Sequence, residues 1–176
     1  MEQGVRIHPY CIDAYAEAEE AKAKRKAEKQ ARAAAKVEKA EDRRRKEAMK
    51  KVSELEADCR KIVQEIARIR DRNDGCISCH MGPNYDGQWH GSHYRSHGGC
   101  SSLQFHLWNI HKSCAQCNTH KAGNIAEYRP RLAQKIGADR VEWLDNQPKS
   151  QKYNREYLYR FKAVMGRRLR RMRKTK

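Results

Sequence analysis

Two Cys-x-x-Cys pairs, Cys76-Ile77-Ser78-Cys79 and Cys114-Ala115-Gln116-Cys117, have a spacing that directly implies chemistry. Each pair can present two thiolates to one tetrahedral ion, and four soft sulfurs select zinc. Four protein thiolates leave no coordination position for water, so this zinc is structural and a catalytic metal must bind elsewhere. Closing the chain across residues 80–113 in this way adds roughly 10 kcal/mol or more to folding. Cys11, Cys59 and Cys100 have no such partner and read as free thiols.

Between the pairs lies a strand-like stretch, Gln88-Trp89-His90-Gly91-Ser92-His93-Tyr94-Arg95, and Asn109-Ile110-His111 precedes the second pair. Asn118 directly follows Cys117. A zinc-closed hairpin with a His on its first strand, an Asn on its second and a helix after the last CxxC is the layout of the ββα-metal, or HNH, nuclease site. The expected fold class is therefore α+β: a small zinc-stabilised HNH-like core with a long N-terminal helix and a basic C-terminal helix.

The stretch from Cys76 to about Asn146 also resembles the NinG, or Rap, recombination endonucleases of lambdoid phages. The resemblance is carried by CISC, GSHYRS, LQFHLWNIHKSCAQCNTHKAGN, AEYRPRLAQKIG and DRVEWL as they stand here. It implies a phage-encoded enzyme that nicks Holliday junctions and D-loops. It departs from the family in its N-terminal segment, usually Cys-rich, where only Cys11 stands; no second zinc is expected.

Hydrolysis of a phosphodiester needs an activated water and a cation on the phosphate. By its match to the first His of the HNH pattern, His93 is the candidate general base. An imidazole can accept a proton near neutral pH, and a positioned base contributes about 10²–10⁴ in rate. Asn109 would hold the local geometry. Asn118, at the third motif position, would offer its side-chain oxygen to one hard cation, Mg²⁺ or Mn²⁺. Many HNH sites have Asp just before the catalytic His, where this chain has Ser92. Residues two apart in a strand share a face, so His90 can serve instead as the second ligand. The family tends to have Asp at that position, and a His there suits Mn²⁺ better than Mg²⁺. His106, His111 and His120 are expected to orient phosphate or a neighbouring ligand rather than act as base. Trp89, Trp108 and Trp143 are expected in the core.

The elements that must position these residues follow from composition. No Pro or Gly occurs from about Asp13 to Arg70, and Ala, Lys, Glu and Arg dominate, which predicts one long helix over 13–72. Its first part has few large apolar residues and is expected to be solvated, supported by charge pairs. Val52, Leu55, Cys59, Ile62, Ile66 and Ile69 follow a 3-4 spacing on one stripe, which fits equally a coiled-coil dimer seam and packing onto the chain's own domain. Asn73-Asp74-Gly75 is a turn, so a zinc-bound domain is expected over 73–146, after an N-terminal segment 1–12 and the helix. Ile125, Tyr128, Leu132 and Ile136 predict a helix ended by Gly137, and Val141, Trp143 and Leu144 a second short one.

Residues 147–176 form a basic C-terminal helix or tail in which Glu156 is the only acid after Lys149. Formal charge is +17, from 39 Lys and Arg against 22 Asp and Glu, which points to a polyanionic partner. No stretch approaches the roughly 20 apolar residues of a membrane span, and the N-terminus has no signal-peptide pattern, so a cytoplasmic protein is expected. Arg95 and Lys121 near the site, with Arg167, Arg168, Arg170, Arg171, Arg173 and Lys174, are candidate phosphate contacts for shape-directed binding of branched DNA. Tyr153, Tyr157, Tyr159 and Phe161 read as the buried face of the last helix. Paired nicks across a junction would need a homodimer. Two other classes stay open: a non-catalytic zinc module that binds DNA and recruits partners, and an RNA- or ribosome-associated zinc protein.

Overall fold

The computed structural model describes Tyr10 and residues 12–175, and Cys11 lies outside them. The chain divides into two units, Met1–Lys50 and Lys51–Lys176. In the first, α1 (Ile12–Met49) buries no residue. Its surface is laced by i,i+3 pairs such as Lys22–Glu19 at 3.4 Å and Arg45–Asp42 at 3.9 Å, as a solvated helix requires.

The predicted single helix is two. Lys51 is extended, with φ −69° and ψ 159°, and α2 (Val52–Arg70) starts after it. The break uses neither Gly nor Pro. Instead the Lys51 backbone N–H donates to Glu54 Oε2 at 2.7 Å, the reciprocal half of a capping box. Composition cannot show this, because a cap needs only one residue out of helical φ/ψ and a carboxylate three places on.

In the second unit α2 spends its apolar stripe on its own domain. Leu55 and Cys59 pack with Phe105 and Leu158, and Val63 and Ala67 with Ile110. Val52 is exposed and Ile62 and Ile69 are only half-buried, because Val63 and Ala67 take the innermost face. Of the two expected roles for the stripe, packing within the domain is the one observed.

The hairpin pairs β1 (Trp89–His93) with β2 (Ile110–Cys114) antiparallel, in register His93↔Ile110, Ser92↔His111 and Gly91↔Lys112. One face carries Gly91, His93 and Ile110 toward α2. A Cβ at Gly91 would lie 2.7 Å from the Gln64 backbone, so only Gly permits this approach. The other face carries His90, Ser92 and His111, where Tyr128 donates its hydroxyl to the Ser92 carbonyl at 3.0 Å.

Tyr128 belongs to α3 (Ile125–Ile136), which stops at Gly137 with φ 94°, as its sequence predicts. α4 (Ala138–Asp145) buries Val141 and Leu144 against Tyr94, Leu103 and Leu132. The basic C-terminus is the helix α5 (Arg155–Lys174), laid along α2. It buries Leu158, with Tyr153, Tyr159 and Phe161 partly covered and Tyr157 exposed. The described chain is thus mostly helical α+β around a two-stranded hairpin, and none of its described helices is long and apolar enough to cross a membrane.

Candidate functional site: a four-cysteine clamp and the hairpin it holds

The sulfurs of Cys76, Cys79, Cys114 and Cys117 all lie within 4.8 Å of one another, and none is in a disulfide. Zn–S bonds of about 2.3 Å imply tetrahedral S···S edges of roughly 3.8 Å. Cys79 and Cys114 are 3.9 Å apart, so the donor set fits zinc. The backbone amides of Ser78 and Cys114 point at Cys76 Sγ at 3.4 and 3.3 Å, donors that suit a thiolate. Without the metal, burial pushes the Cys76 thiol up to about 11 and Cys117 higher still. A cation between the sulfurs would favour the thiolate form of both. Ile77 N–H donates to the Lys112 carbonyl at 3.0 Å, which ties the first knuckle to β2.

Above the clamp, His93 is half-buried, and its Nε2 lies 3.0 Å from the Gln104 carbonyl. Burial, then the charges of His97 and Arg60, lower its pKa, against the opposing Gln104 bond. Asn109 is fully buried. Its Oδ1 accepts from Arg95 N–H at 2.8 Å, and its Nδ2 donates to the carbonyls of Arg95 and Leu103 at 2.9 and 3.2 Å. Three bonds from one amide brace the loop between the strands.

On the opposite face, Asn118 Nδ2 meets His90 Nδ1 at 2.9 Å. Asn118 sits in a short π-helical turn, Gln116–His120. Two cis ligands on one cation at about 2.1 Å are about 3 Å apart, so this pair fits a metal once the amide turns its oxygen inward. Ser92, at the position of the usual Asp, is buried on the same face with an unpartnered hydroxyl. The donors are an imidazole and an amide without a carboxylate, which fits Mn²⁺ better than Mg²⁺. Among the described residues the four cysteines are the only cluster of three or more Cys, His, Asp or Glu placed to share an ion. The structure thus joins His90 with Asn118, and His93 with Gln104, but on opposite faces of one strand.

Several expectations are corrected. Arg95 has a structural role that its sequence does not show: its Nη1 donates to the carbonyls of Leu144 and Asp145 at 2.8 and 2.5 Å, capping the end of α4. His111 is 1% exposed and cannot touch a ligand. Its Nε2 faces the Trp108 carbonyl at 3.0 Å and its Nδ1 faces Arg70 Nη2 at 2.8 Å, so the neutral ring donates at one nitrogen and accepts at the other. Trp108 and Trp143 are exposed rather than core; Trp89 is partly buried, with Lys112 Nζ 4.2 Å from its ring centroid. Lys121 and His120 are exposed beside the Asn118 turn, and His106 accepts from Trp108 N–H at 3.3 Å.

On α5, Arg167, Arg170, Arg171 and Lys174 line one open cleft, while Arg173 pairs with Glu65 of α2 at 2.6 Å. Arg168 points into a different cleft, beside Trp108 and Lys135.

One cluster escapes sequence reasoning altogether. Asp71, 2% exposed, holds Arg70 at 2.7 Å, Lys135 at 2.9 Å and the Lys112 backbone amide at 3.1 Å. It binds the end of α2 to β2 and α3. The hydrogen bonds from Arg70 and Lys135, with the His111 ring close by, outweigh burial and hold its carboxyl far below the usual range.

Fold and site together define an α+β protein organised on a β-hairpin, with four clustered cysteines at its base able to hold a metal. The chain belongs to the NinG family: the family described as Bacteriophage Lambda NinG protein matches residues 5–175. Protein ninG of Salmonella phage P22 is 34% identical over 132 residues, covering 75% of this chain and 64% of the relative. Those of Escherichia phage lambda and Escherichia phage 933W are each 33% identical over 132 residues, 75% of this chain and 64% and 65% of theirs. The match spans somewhat less than two thirds of these relatives' length. No solved structure matches the chain.

Proposed function

We propose that this protein is a metal-dependent endonuclease that nicks branched DNA recombination intermediates, Holliday junctions and D-loops, in the cytoplasm of a phage host. The observation that carries the reading is the imidazole of His93, fixed by the Gln104 carbonyl at the end of a strand anchored by the four cysteines. A carbonyl only accepts, so Nε2 carries the hydrogen and Nδ1 keeps the lone pair of a general base. In the reaction Nδ1 takes a proton from water, whose oxygen attacks phosphorus as the P–O bond to the leaving sugar oxygen breaks.

His90 and Asn118 would hold a divalent cation, Mn²⁺ in preference to Mg²⁺; because they lie across β1 from His93, that cation would supply charge neutralisation only to a phosphate seated at the strand edge, where both faces can be reached. The cysteines would hold structural zinc, and Asn109 keeps the loop beyond β1 in place. Arg167, Arg170, Arg171 and Lys174 would contact phosphates, with a sequence-tolerant preference for shape. Paired nicks need two such centres, so the active form is a homodimer, and its seam is not the α2 stripe, which the domain itself covers.

A second reading, a non-catalytic zinc module that binds DNA and recruits partners, draws support from Ser92 and the lack of a carboxylate beside His90. Synthetic Holliday junctions, D-loops and linear duplex incubated with Mn²⁺ or Mg²⁺ decide between the two. Nicking of branched substrates that vanishes in His93→Ala supports the enzyme; binding without nicking in any metal supports the module.

A further inference from the structure

Trp108 and Trp143 remain 36% and 41% exposed, although each touches the other. Their ring centroids are 5.7 Å apart at 83°, and His106 lies 5.2 Å from Trp108 and 5.0 Å from Trp143. The guanidinium of Arg140 sits 4.8 Å above the Trp108 ring. Three aromatic rings and a cation thus form one surface patch where α4 meets the segment leading into β2.

A small core has every reason to bury its indoles, and α4 does bury Val141 and Leu144 from the same turns. Trp108 directly precedes the fully buried Asn109, so the patch is rigidly attached to the braced loop that contacts His93. Trp108 also lines an open cleft of about 520 Å³ with Arg70, Lys135 and Arg168. Arg70 and Lys135 already hold Asp71, and Lys135 also holds Asp74 at 2.7 Å. Arg168 has no acidic partner among the described residues, so the cation at this rim remains for an anion from outside.

We propose that Trp108 and Trp143, with Arg140 and Arg168, form a stacking platform for an unpaired base of a DNA strand, the base on the indoles and a neighbouring phosphate on Arg168. The proposal rests on the DNA reading above and deepens it: the substrate feature recognised is the unpaired nucleotide that the displaced strand of a D-loop exposes and intact duplex does not. Every base has a π-face, so such a platform is sequence-tolerant. An apolar protein partner would have no use for the flanking cations, and the net charge of +17 favours a polyanion.

The test measures binding without added divalent cation, so that no strand is cut, using a fluorescent oligothymidylate, a gapped duplex and an intact duplex. Trp143→Leu should weaken the first two about tenfold and leave the intact duplex within twofold. Trp143→Phe should restore most of the loss, and unchanged zinc content and circular dichroism in both variants show that the fold survives. Oligothymidylate should also quench tryptophan emission in the wild type and far less in Trp143→Leu. Arg168→Ala should reduce the salt slope for the gapped substrate by about one.

Equal loss on duplex and gapped DNA, or no loss on either, overturns the platform while leaving the nuclease reading intact. A variant that binds DNA normally but sediments at a lower mass assigns the patch to a protein contact and overturns it as well. No binding to any DNA removes both proposals together.

Discussion

The Nε2 atom of His93 lies 3.0 Å from the main-chain oxygen of Gln104, a residue that is itself buried. Its side chain is held in turn by Arg60 Nη1 at 2.6 Å, so α2 indirectly sets the orientation of the imidazole. Burial holds the ring neutral below the ordinary histidine pKa. A base works when deprotonated, so activity should persist as pH falls past about 6.5 and decline only at the depressed value. The rate of junction nicking against pH checks this: an acid limb centred above 6.5 would remove His93 as the base. His93→Ala should lose about 10²–10⁴ in rate with DNA affinity unchanged.

The pair His90 and Asn118 makes a metal prediction. Replacing the imidazole by a carboxylate, His90→Asp, gives a hard, charged oxygen donor where a borderline nitrogen stands. Activity in Mg²⁺ should rise relative to that in Mn²⁺, by tenfold or so if each metal contact follows the usual magnitude for ligand changes. Parallel Mg²⁺ and Mn²⁺ titrations of both proteins read the ratio. An unchanged ratio would mean that His90 does not touch the cation.

Zinc should be needed for folding rather than for the chemical step. Purified protein should contain one zinc per chain, and Cys76→Ser or a strong chelator should unfold the hairpin, with loss of thermal transition as well as activity. Cys59→Ser provides the control: its thiol faces the Leu158 carbonyl at 3.6 Å, and it should keep full zinc. Zinc removal that abolishes nicking while leaving the unfolding transition in place would assign the ion to catalysis.

What the sequence made legible depends on range. The cysteine pairs, the strand around His93 and the stop at Gly137 are local patterns, decided by ligand spacing, alternation and a positive φ. The cap at Lys51 is also local, yet its only signal is Glu54 in a run crowded with glutamates. Arg95 read as a phosphate contact because its charge is visible and the α4 carbonyls that it caps, some fifty residues on, are not. Trp108 and Trp143 read as core because composition favours burial. Which face of α4 turns inward is settled by Tyr94, Leu103 and Leu132, and no single segment contains that information.

Asp71 illustrates the same limit and supports the last prediction. In the sequence it is one acid among Arg70, Arg72 and Asp74, and nothing marks it apart. In the fold it is 2% exposed and bonded to Arg70, Lys135 and the Lys112 amide, whereas Asp74 is exposed and meets only Lys135 among the contacts just described. Asp71→Asn removes the charge that compensates two cations, which are themselves partly solvated. It should cost about 3 kcal/mol, the low end for breaking a buried pair, or on the order of 10 °C in Tm. Asp74→Asn should cost about 0.5 kcal/mol or less, as an exposed pair does. The pH dependence follows from the sign of the shift. Because the folded pKa is depressed, the contribution of Asp71 is present above the ordinary carboxylate value of 3.8 and is lost as pH falls toward the folded one. His93 and His111, both lowered by burial, add an earlier loss that begins as pH drops through 6.5, where the unfolded chain binds protons first. Stability measured by denaturant between pH 8 and 3 should therefore fall in two stages; Asp71→Asn should flatten the lower one and, because Asp71 raises the His111 pKa, deepen the upper one. A flat profile in the wild type, or equal destabilisation by the two Asn variants, would show that the buried carboxylate does not hold α2 to the hairpin.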